Sequence, residues 1–359
     1  MCYTSGTTGR PKGVVYSHRA IVLHTYCICL ADTLGISSSD TLMPVVPQFH
    51  ANAWGTPFAA AMVGAKIVMP GPHMDPKSLL DLAASQQVTI AVGVPTIWIG
   101  LLEELDKDPN RWNLSSKLRT IVGGSAMPES MIRGFFAHGI DTLHAWGMTE
   151  MTPIGTVSKL RPYMNEWEES KKFSTLARQG PSVPIVETRA IDENGKIDWD
   201  GKTMGELQVR GPCVASSYHD TKSDKWTEDG WFRTGDVVTV DQEGYIKIAD
   251  RTKDLIKSGG EWISSVDLEN ELMGHPSVSE AAVVAIPHPK WDERPLAAIV
   301  LKKDSTVSSE ELKAMLKEKF AKWWIPEAYA FVNEIPKTSA GKFKKSAIRK
   351  QFENWSWET

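Results

Sequence analysis

Residues 3–13, YTSGTTGRPKG, combine three glycines, four Ser and Thr hydroxyls and a lysine within eleven positions. Glycine lets the backbone turn tightly and bring its N–H groups close to a ligand. The hydroxyls can donate hydrogen bonds to phosphate oxygens, and the lysine adds a positive charge. The stretch is not a Walker A loop, because Pro11 stands where that motif requires glycine. We therefore expect a phosphate-binding loop formed by Thr4, Ser5, Gly6, Thr7, Thr8, Gly9 and Lys12.

Downstream of this loop, short β-rich runs alternate with helical stretches, which indicates a layered α/β domain. Strands are predicted at 65–69, 88–92 and 118–122, with helices at 75–85 and 96–105. From about Pro181 the pattern becomes antiparallel, with strands at 184–191 and 206–210 and a hairpin turn at Asn194-Gly195. We expect residues 1–249 to form one large domain whose last part, about 181–249, is a small β unit.

Residues 250–359 predict a separate, small α+β domain. Ser264-Ser265 can cap a helix that Gly274 and Pro276 stop, and apolar strands are predicted at 281–286 and 296–301. Ser308 and Glu311 form a capping box, followed by apolar residues at helical spacing: Leu312, Met315, Leu316 and Phe320. Since no low-complexity linker precedes this domain, we expect the boundary to be a hinge.

The composition is that of a soluble globular protein, with 42% hydrophobic and 23% charged residues. A net charge of −4 gives no basic field for nucleic acid or an anionic membrane. The uncharged stretch 82–102 contains Gln, Thr and Pro residues, so we interpret it as a globular strand and helix. The N-terminus lacks a signal-peptide pattern. Four cysteines without metal or disulfide spacing favour a reduced, cytoplasmic location, with peripheral contact at a membrane left open.

Residues 144–150, HAWGMTE, form a second polar cluster. The Thr149 hydroxyl and Glu150 carboxylate are oxygen ligands that suit Mg²⁺ together with substrate phosphates. Trp146 offers a flat face on which adenine could stack. Alone, this run could equally be a helix start with a capping threonine.

Further motifs follow at 231–236 (WFRTGD), 250–254 (DRTKD), 257–264 (KSGGEWIS) and 336–343 (PKTSAGKF). Together with the two motifs above, they resemble, in order, the motifs of the adenylate-forming superfamily. This superfamily includes acyl-CoA synthetases, luciferases and peptide-synthetase adenylation domains. The resemblance extends from Tyr3 to Phe343, essentially the whole chain.

The resemblance implies roles for individual residues. Lys342, Thr149, Glu150 and His50 would be catalytic, and Thr4 and Glu150 would bind the metal. Asp250 would be the hinge between the domains, and Gly259 and Gly260 would line the CoA thiol channel. Besides the phosphate loop, the ATP- or AMP-binding residues would be Gly124, His144, Ala145, Trp146, Thr149, Asp236, Arg251, Lys253, Lys257 and Trp262.

The segment 46–54, VPQFHANAW, resembles the part of the family that lies beside the substrate carboxylate. The implied acyl pocket contains His50, Ala51 and Trp54, with Gly123 and Gly124, although His50 could equally be a core histidine. The sequence around Trp54 resembles that of bacterial medium- and long-chain fatty acyl-CoA synthetases. The same resemblance is found at 64–66, 70–72, 288–291 and 293–295.

The implied function is an ATP- and Mg²⁺-dependent fatty acid–CoA ligase. It would form an acyl-AMP with release of pyrophosphate and then transfer the acyl group to CoA. An aryl-CoA ligase and a truncated, non-catalytic protein that binds a nucleotide or a partner remain alternatives, and a homodimer remains open.

The chain departs from the family at its start. The phosphate loop normally follows roughly 150 or more residues of an N-terminal subdomain, more than one typical domain, but here it begins at residue 3. We expect that subdomain to be missing. The uncharged stretch 21–30 and the run 58–63 would then expose apolar surface that the subdomain covers in relatives.

Overall fold

The computed structural model describes residues 1–4, 11–259, 261–338 and 341–357. The chain folds into two compact units. The first consists of Met1–Thr234 and Thr239–Lys247, and the second of Gly235–Val238 and Ile248–Thr359. The predicted domain boundary at residue 250 and the hinge role of Asp250 stay predictions.

The first unit begins with an antiparallel hairpin of β1 (Cys2–Tyr3) and β2 (Gly13–Val14). Its main sheet has six strands in the order β4-β3-β5-β6-β7-β8. The strands from β4 to β7 are parallel, and β8 is antiparallel to β7. The bounds are β3 (Thr41–Pro44), β4 (Lys66–Ile67), β5 (Ile90–Gly93), β6 (Arg119–Val122), β7 (Asp141–Gly147) and β8 (Ile154–Ser158).

Helices connect these parallel strands, as a parallel sheet requires. Ser17 and Asp75 act as N-caps, since their side chains accept hydrogen bonds from the backbone N–H groups of Ala20 (3.0 Å) and Ser78 (2.9 Å). Trp98 and Phe135 pack edge to face in the core beneath the sheet, with their ring centres 6.2 Å apart. The bounds are α1 (His18–Cys29), α2 (Ala51–Trp54), α3 (Thr56–Val63), α4 (Pro76–Gln86), α5 (Pro95–Lys107), α6 (Glu129–Ala137) and α7 (Glu169–Leu176).

A five-stranded sheet follows in the order β10-β9-β11-β12-β13. The bounds are β9 (Glu187–Asp192), β10 (Gly195–Lys196), β11 (Gly205–Arg210), β12 (Phe232–Val240) and β13 (Ile246–Arg251). Strands β9 and β10 form an antiparallel hairpin in which Gly195 pairs with Asp192. A hairpin turn is therefore present, but its two turn residues are Glu193 and Asn194, and Gly195 of the predicted pair lies in β10.

The second unit contains a four-stranded path, β15-β14-β17-β16, with β18 added parallel to β17. The long β16–β17 hairpin buries apolar side chains against helices on both sides. Ser264 and Ser308 cap α8 and α9, as the sequence predicts. The bounds are β14 (Ile256–Ser258), β15 (Glu261–Ile263), α8 (Ser265–Met273), β16 (Val278–His288), β17 (Asp292–Leu301), α9 (Ser309–Lys317), β18 (Ala328–Phe331) and α10 (Lys345–Gln351).

The mixed α/β fold is confirmed, with differences at element ends. The predicted strand at 65–69 pairs only at Lys66–Ile67, at the edge of the sheet. The predicted helix at 308–320 ends at Lys317, so Phe320 lies beyond it, although its side chain still packs on the core. Among the described residues, no helix is long and apolar enough to cross a membrane.

The two apolar helical runs singled out above do expose apolar side chains. In α1 these are Val22 and Tyr26, followed by Leu30 at its end, and in α3 they are Phe58 and Met62. That an N-terminal subdomain covers these faces in relatives stays a prediction.

Candidate active site

Apart from the phosphate loop, the predicted site residues of the first unit lie at or just beyond the carboxyl ends of its parallel strands, or within β7. His50 comes after β3, Gly123 and Gly124 come after β6, and Trp146 to Glu150 lie at the end of β7 and just beyond it. Ligands of open α/β sheets bind in the crevice outside this edge. The topology thus brings motifs that are far apart in sequence to one edge of the sheet.

Two residues of the predicted acyl pocket, Gly123 and Trp54, are packed together beside Ala145 of the predicted nucleotide site. A Cβ atom on Gly123 would lie 2.9 Å from the carbonyl oxygen of Ala145 and 3.2 Å from Cη2 of Trp54. The absence of a side chain at Gly123 therefore lets the Trp54 indole approach the ends of β6 and β7. Trp54 itself is buried, with 7% of its surface exposed.

The segment that carries Trp54 has an unusual backbone. Residues 51–54 all have positive φ, between 47° and 59°, so α2 is a left-handed turn. Such a conformation costs roughly 1–2 kcal/mol per residue and is found mostly at functional sites. The turn ends at Gly55, where a Cβ atom would lie 2.8 Å from Cε1 of the buried His24. His24 Nε2 accepts a hydrogen bond from the Ile154 N–H (3.2 Å), and burial lowers the pKa of His24 to about 4.

The ends of the predicted phosphate loop are closed by hydrogen bonds. The Thr4 N–H donates to the Lys12 carbonyl (2.9 Å), and the Lys12 N–H donates to Thr4 Oγ1 (3.2 Å). The β1–β2 hairpin therefore holds Thr4 and Lys12 at the base of one loop. The predicted phosphate-binding residues Ser5, Gly6, Thr7, Thr8 and Gly9 lie outside the described residues.

Tyr218 connects this loop to Glu150. Its hydroxyl donates a hydrogen bond to Glu150 Oε1 (2.5 Å), and the Lys12 ammonium lies 4.8 Å from the centre of its ring. The Glu150 side chain is buried, with only 5% of the residue exposed. The neighbouring His219 N–H donates to the Gly13 carbonyl (2.8 Å), which fixes the segment against the hairpin. The Lys12 ammonium, the Tyr218 phenol and the Glu150 carboxylate thus form a continuous series of contacts.

A second tyrosine fixes the other side of this motif. The Tyr16 hydroxyl donates to the backbone carbonyl of Thr149 (2.6 Å). Burial, with a smaller contribution from the Glu150 charge, raises the pKa values of both Tyr16 and Tyr218 above the ordinary range of tyrosine. Both phenols therefore stay protonated and act as hydrogen-bond donors.

His144 and Trp146 lie deeper than their predicted nucleotide roles suggest. His144 is 1% exposed, and its Nδ1 lies 2.9 Å from the Ala177 carbonyl oxygen. Because a carbonyl can only accept, Nδ1 carries the proton, and burial lowers the pKa of this histidine to about 4. The Trp146 ring covers Gly155, where a Cβ atom would lie 2.6 Å from Cζ3. Their contacts with a nucleotide stay predictions.

In the second unit, Asp236 and Arg251 are brought together. Arg251 Nε lies 3.1 Å from Oδ1 of the buried Asp236. The Thr252 N–H donates to the Gly235 carbonyl (2.9 Å), which holds the two motifs side by side. Lys253 is exposed in the turn that follows β13.

Lys257, Gly259 and Trp262 lie around the β14–β15 hairpin. The Lys257 ammonium is 5.7 Å from the centre of the half-exposed Trp262 ring. Gly259 has φ of +60°, and a Cβ atom there would lie 3.1 Å from Trp291, whose carbonyl accepts from the Gly259 N–H (2.8 Å). Gly260 lies outside the described residues.

The segment that carries Lys342 folds back on itself. The Thr338 N–H donates to the Lys342 carbonyl (2.8 Å), and the Lys344 N–H donates to the Pro336 carbonyl (2.7 Å). Gly341 has φ of +76°, a conformation that glycine adopts without strain. The backbone around Lys342 is therefore closed into a tight loop.

Sequence reasoning missed Tyr16 and Tyr218. Tyr218 lies 68 positions from Glu150, and nothing in its local sequence marks it as a hydrogen-bond donor to that carboxylate. Only the path of the chain between β11 and β12 brings it there.

Comparison with known families identifies the fold that carries these residues. The profile of the AMP-binding enzyme family matches residues 1–219, and the profile of its C-terminal domain matches residues 267–342. The chain belongs to the AMP-binding enzyme family. Its first match covers well over half of the sequence and includes the first-unit residues described above.

Curated relatives of this AMP-binding chain include two fatty acid ligases. It is 49% identical to the long-chain-fatty-acid–CoA ligase of Thermus thermophilus over 99% of its length, and 46% identical to the medium-chain-fatty-acid–CoA ligase of Ectopseudomonas oleovorans over 98%. The chain spans 66% and 64% of the lengths of these two relatives.

A solved structure shares the fold of this AMP-binding chain. It is the o-succinylbenzoate coenzyme A synthetase of Bacillus subtilis in complex with ATP and magnesium ion. The two superpose with a TM-score of 0.81 at 28% identity, over 97% of this chain and 69% of that one.

Proposed function

We propose that this chain is the catalytic part of an AMP-forming fatty acid–CoA ligase. The observation that carries the proposal is the arrangement of Lys12, Tyr218 and Glu150 at the carboxyl edge of the parallel sheet. It joins the base of the phosphate loop to a buried carboxylate. A site that handles a polyphosphate and a divalent cation needs both.

The donor set fits Mg²⁺. Glu150 supplies one buried carboxylate, which Tyr218 orients, and the Thr4 hydroxyl lies at the base of the phosphate loop. Mg²⁺ is usually bound by one or two carboxylates and completed by substrate phosphates. In the proposal Glu150 and Thr4 hold the ion, which when bound neutralises charge on the phosphate oxygens.

In the first half-reaction, a carboxylate oxygen of the substrate bonds to the α-phosphorus of ATP. The bond from that phosphorus to the bridging oxygen breaks, and pyrophosphate leaves. Positioning and electrostatics dominate such transfers. We assign Lys12 and the loop hydroxyls to the phosphates, Asp236 and Arg251 to the ribose, and Lys342 to the carboxylate and α-phosphate.

In the second half-reaction, the CoA thiol attacks the acyl carbonyl carbon and AMP leaves. We propose that the backbone at Gly259 and Gly260 lines the thiol channel. We also propose that the second unit turns about Asp250 between the two half-reactions, so that Lys342 serves the first only. Rigid-body motions of this kind are common in enzymes.

The proposed acid is a fatty acid. The close approach of Trp54 to Gly123 supports an apolar acyl pocket, to which we also assign His50 and Ala51. The identities of 46–49% to fatty acid ligases also favour this class over aryl acids.

Pyrophosphate release over a panel of carboxylates, with and without CoA, tests the proposal. We expect release with C6 to C18 fatty acids, and acyl-CoA only when CoA is added. Release with aryl acids alone would favour the aryl-CoA ligase. Nucleotide binding without release for any acid would favour the non-catalytic alternative.

A further inference from the structure

The second unit contains a buried ionic cluster centred on Lys345. Its ammonium lies 2.8 Å from Glu269 Oε1, 2.5 Å from Ser265 Oγ and 3.9 Å from Asp250 Oδ1. The Lys345 side chain is only 12% exposed. An ammonium taken this far out of water persists only when opposite charges compensate it.

The cluster fixes the carboxylate of Asp250. Asp250 Oδ2 accepts hydrogen bonds from both the N–H (3.1 Å) and the hydroxyl of Ser265, at the start of α8. The Arg251 N–H donates to Asp250 Oδ1 (2.7 Å). Asp250 is 2% exposed, so its side chain is part of the interior of the second unit.

The neighbouring carboxylates also determine the charge state of Lys345. Burial alone would lower the pKa of Lys345, but the charges of Glu269 and Asp250 outweigh burial and raise it. Lys345 therefore carries a positive charge in the folded protein and lies between the side chains of Asp250 and Glu269.

Lys345 also ends the loop that carries Lys342. At the other end of this loop, the Lys337 ammonium lies 2.5 Å from Glu280 Oε1 on β16. Glu269, the main partner of Lys345, accepts a hydrogen bond from the Val283 N–H (2.7 Å), also on β16. Both ends of the loop are thus connected to β16, one through Lys337 and Glu280 and the other through Lys345 and Glu269.

We propose that Lys345 is a positioning residue: it holds the Lys342 loop and the Asp250 carboxylate on one rigid frame. The inference rests on the proposed function, which gives Lys342 and Asp250 their roles. A loop fixed at both ends holds the Lys342 ammonium at one position, whereas in a loose loop the ammonium would occupy many positions. A misplacement of about 1 Å can cost on the order of 10²-fold in rate.

The test measures the two half-reactions separately in Lys345→Met. We expect acyl-AMP formation to fall about 10- to 100-fold, while thioester formation from supplied acyl-AMP stays within about 3-fold of wild type. Lys345→Arg, which keeps the charge, should recover most of the first half-reaction. Lys350→Met is the matched control, because it removes an exposed lysine from the same helix and should change neither.

Lys345→Met leaves buried carboxylates without their cation and could prevent folding. The double variant Lys345→Met/Glu269→Gln removes the ion pair without stranding the Glu269 charge, and it should show the same split between half-reactions.

Amide hydrogen exchange gives a readout that does not need activity. The amides of Thr338, Gly341 and Lys344 donate the hydrogen bonds that close the loop. They should exchange at least about 10-fold faster in the double variant and at the wild-type rate in Lys350→Met. Unchanged exchange, or an equal fall of both half-reactions, would overturn the positioning role. A wild-type chain that forms no acyl-AMP, but whose loop amides respond as expected, would contradict the proposed function and leave the anchoring intact.

Discussion

The hydroxyl of Tyr218 donates a 2.5 Å hydrogen bond to the buried carboxylate of Glu150. The Lys12 ammonium lies over the same tyrosine ring, 4.8 Å from its centre. Tyr218 therefore contacts both Lys12 of the predicted phosphate loop and the predicted metal ligand Glu150. Because burial raises its pKa, the phenol remains a donor throughout the physiological pH range.

Replacing Tyr218 with phenylalanine keeps the ring under Lys12 but removes the donor to Glu150. Hydrogen bonds to charged groups contribute about 1.5–3 kcal/mol, so we expect acyl-AMP formation to fall about 10- to 100-fold. Because Glu150 is the proposed Mg²⁺ ligand, the Mg²⁺ concentration for half-maximal rate should rise. Initial rates over a Mg²⁺ titration measure both effects.

Tyr245→Phe is the matched control for that variant. Tyr245 is fully buried, and its hydroxyl donates to the carbonyl of Lys159 (2.5 Å), which is not among the predicted site residues. Loss of the Tyr245 hydroxyl should lower the melting temperature without changing the Mg²⁺ concentration for half-maximal rate. An equal shift in Mg²⁺ dependence in both variants would show that Tyr218 acts only through stability.

The contact between Trp54 and Gly123 predicts a role in acyl selection. Trp54→Ala should change the ratio of kcat/KM between long and short fatty acids by about 10-fold or more, because removing the indole enlarges the pocket. The KM for ATP should change much less. Trp199→Ala, an exposed tryptophan of the same unit, serves as the control. An unchanged acyl profile together with a raised KM for ATP would place Trp54 at the nucleotide instead.

Glu269 predicts a pH dependence of stability. Burial, only partly offset by Lys345, raises its pKa from 4.5 to about 7, and the nearby Asp250 charge adds to this rise. The folded state therefore holds the proton more tightly than the unfolded state. The resulting stabilisation is complete below pH 4.5 and is lost as the pH rises through about 7.

Denaturant unfolding of the wild type and of Glu269→Gln between pH 4 and 8 measures this effect. The wild type should lose free energy of unfolding relative to the variant between about pH 4.5 and 7. A difference that stays constant with pH would show that the pKa of Glu269 is the same in the folded and unfolded states.

Local sequence signals predicted the elements of the fold well. Ser264 and Ser308 cap their helices as their spacing predicts, and a hairpin turn lies one residue before the predicted Asn194-Gly195 pair. These features depend on hydrogen bonds within a few residues, which a sequence displays directly. Element ends were less predictable: Lys66–Ile67 is shorter than its apolar run, because pairing with β3 determines where an edge strand stops.

The arrangement of the candidate site was only partly predictable. Motif order suggested which residues belong to it, but the left-handed turn at 51–54 opposes the backbone preference of its two alanines and its tryptophan. Tyr218 and Lys345 act on groups 68 and 76–95 positions away, so only the folded chain reveals them.

The fate of the carboxylate oxygen tests the proposed chemistry most directly. If a carboxylate oxygen bonds to the α-phosphorus and the thiol then attacks the carbonyl carbon, that oxygen leaves with AMP. With ¹⁸O-labelled fatty acid, ATP and CoA, mass spectrometry of the products should find one ¹⁸O atom in each AMP and none in pyrophosphate. Unlabelled AMP, or label in orthophosphate together with ADP, would contradict the adenylate route on which this account rests.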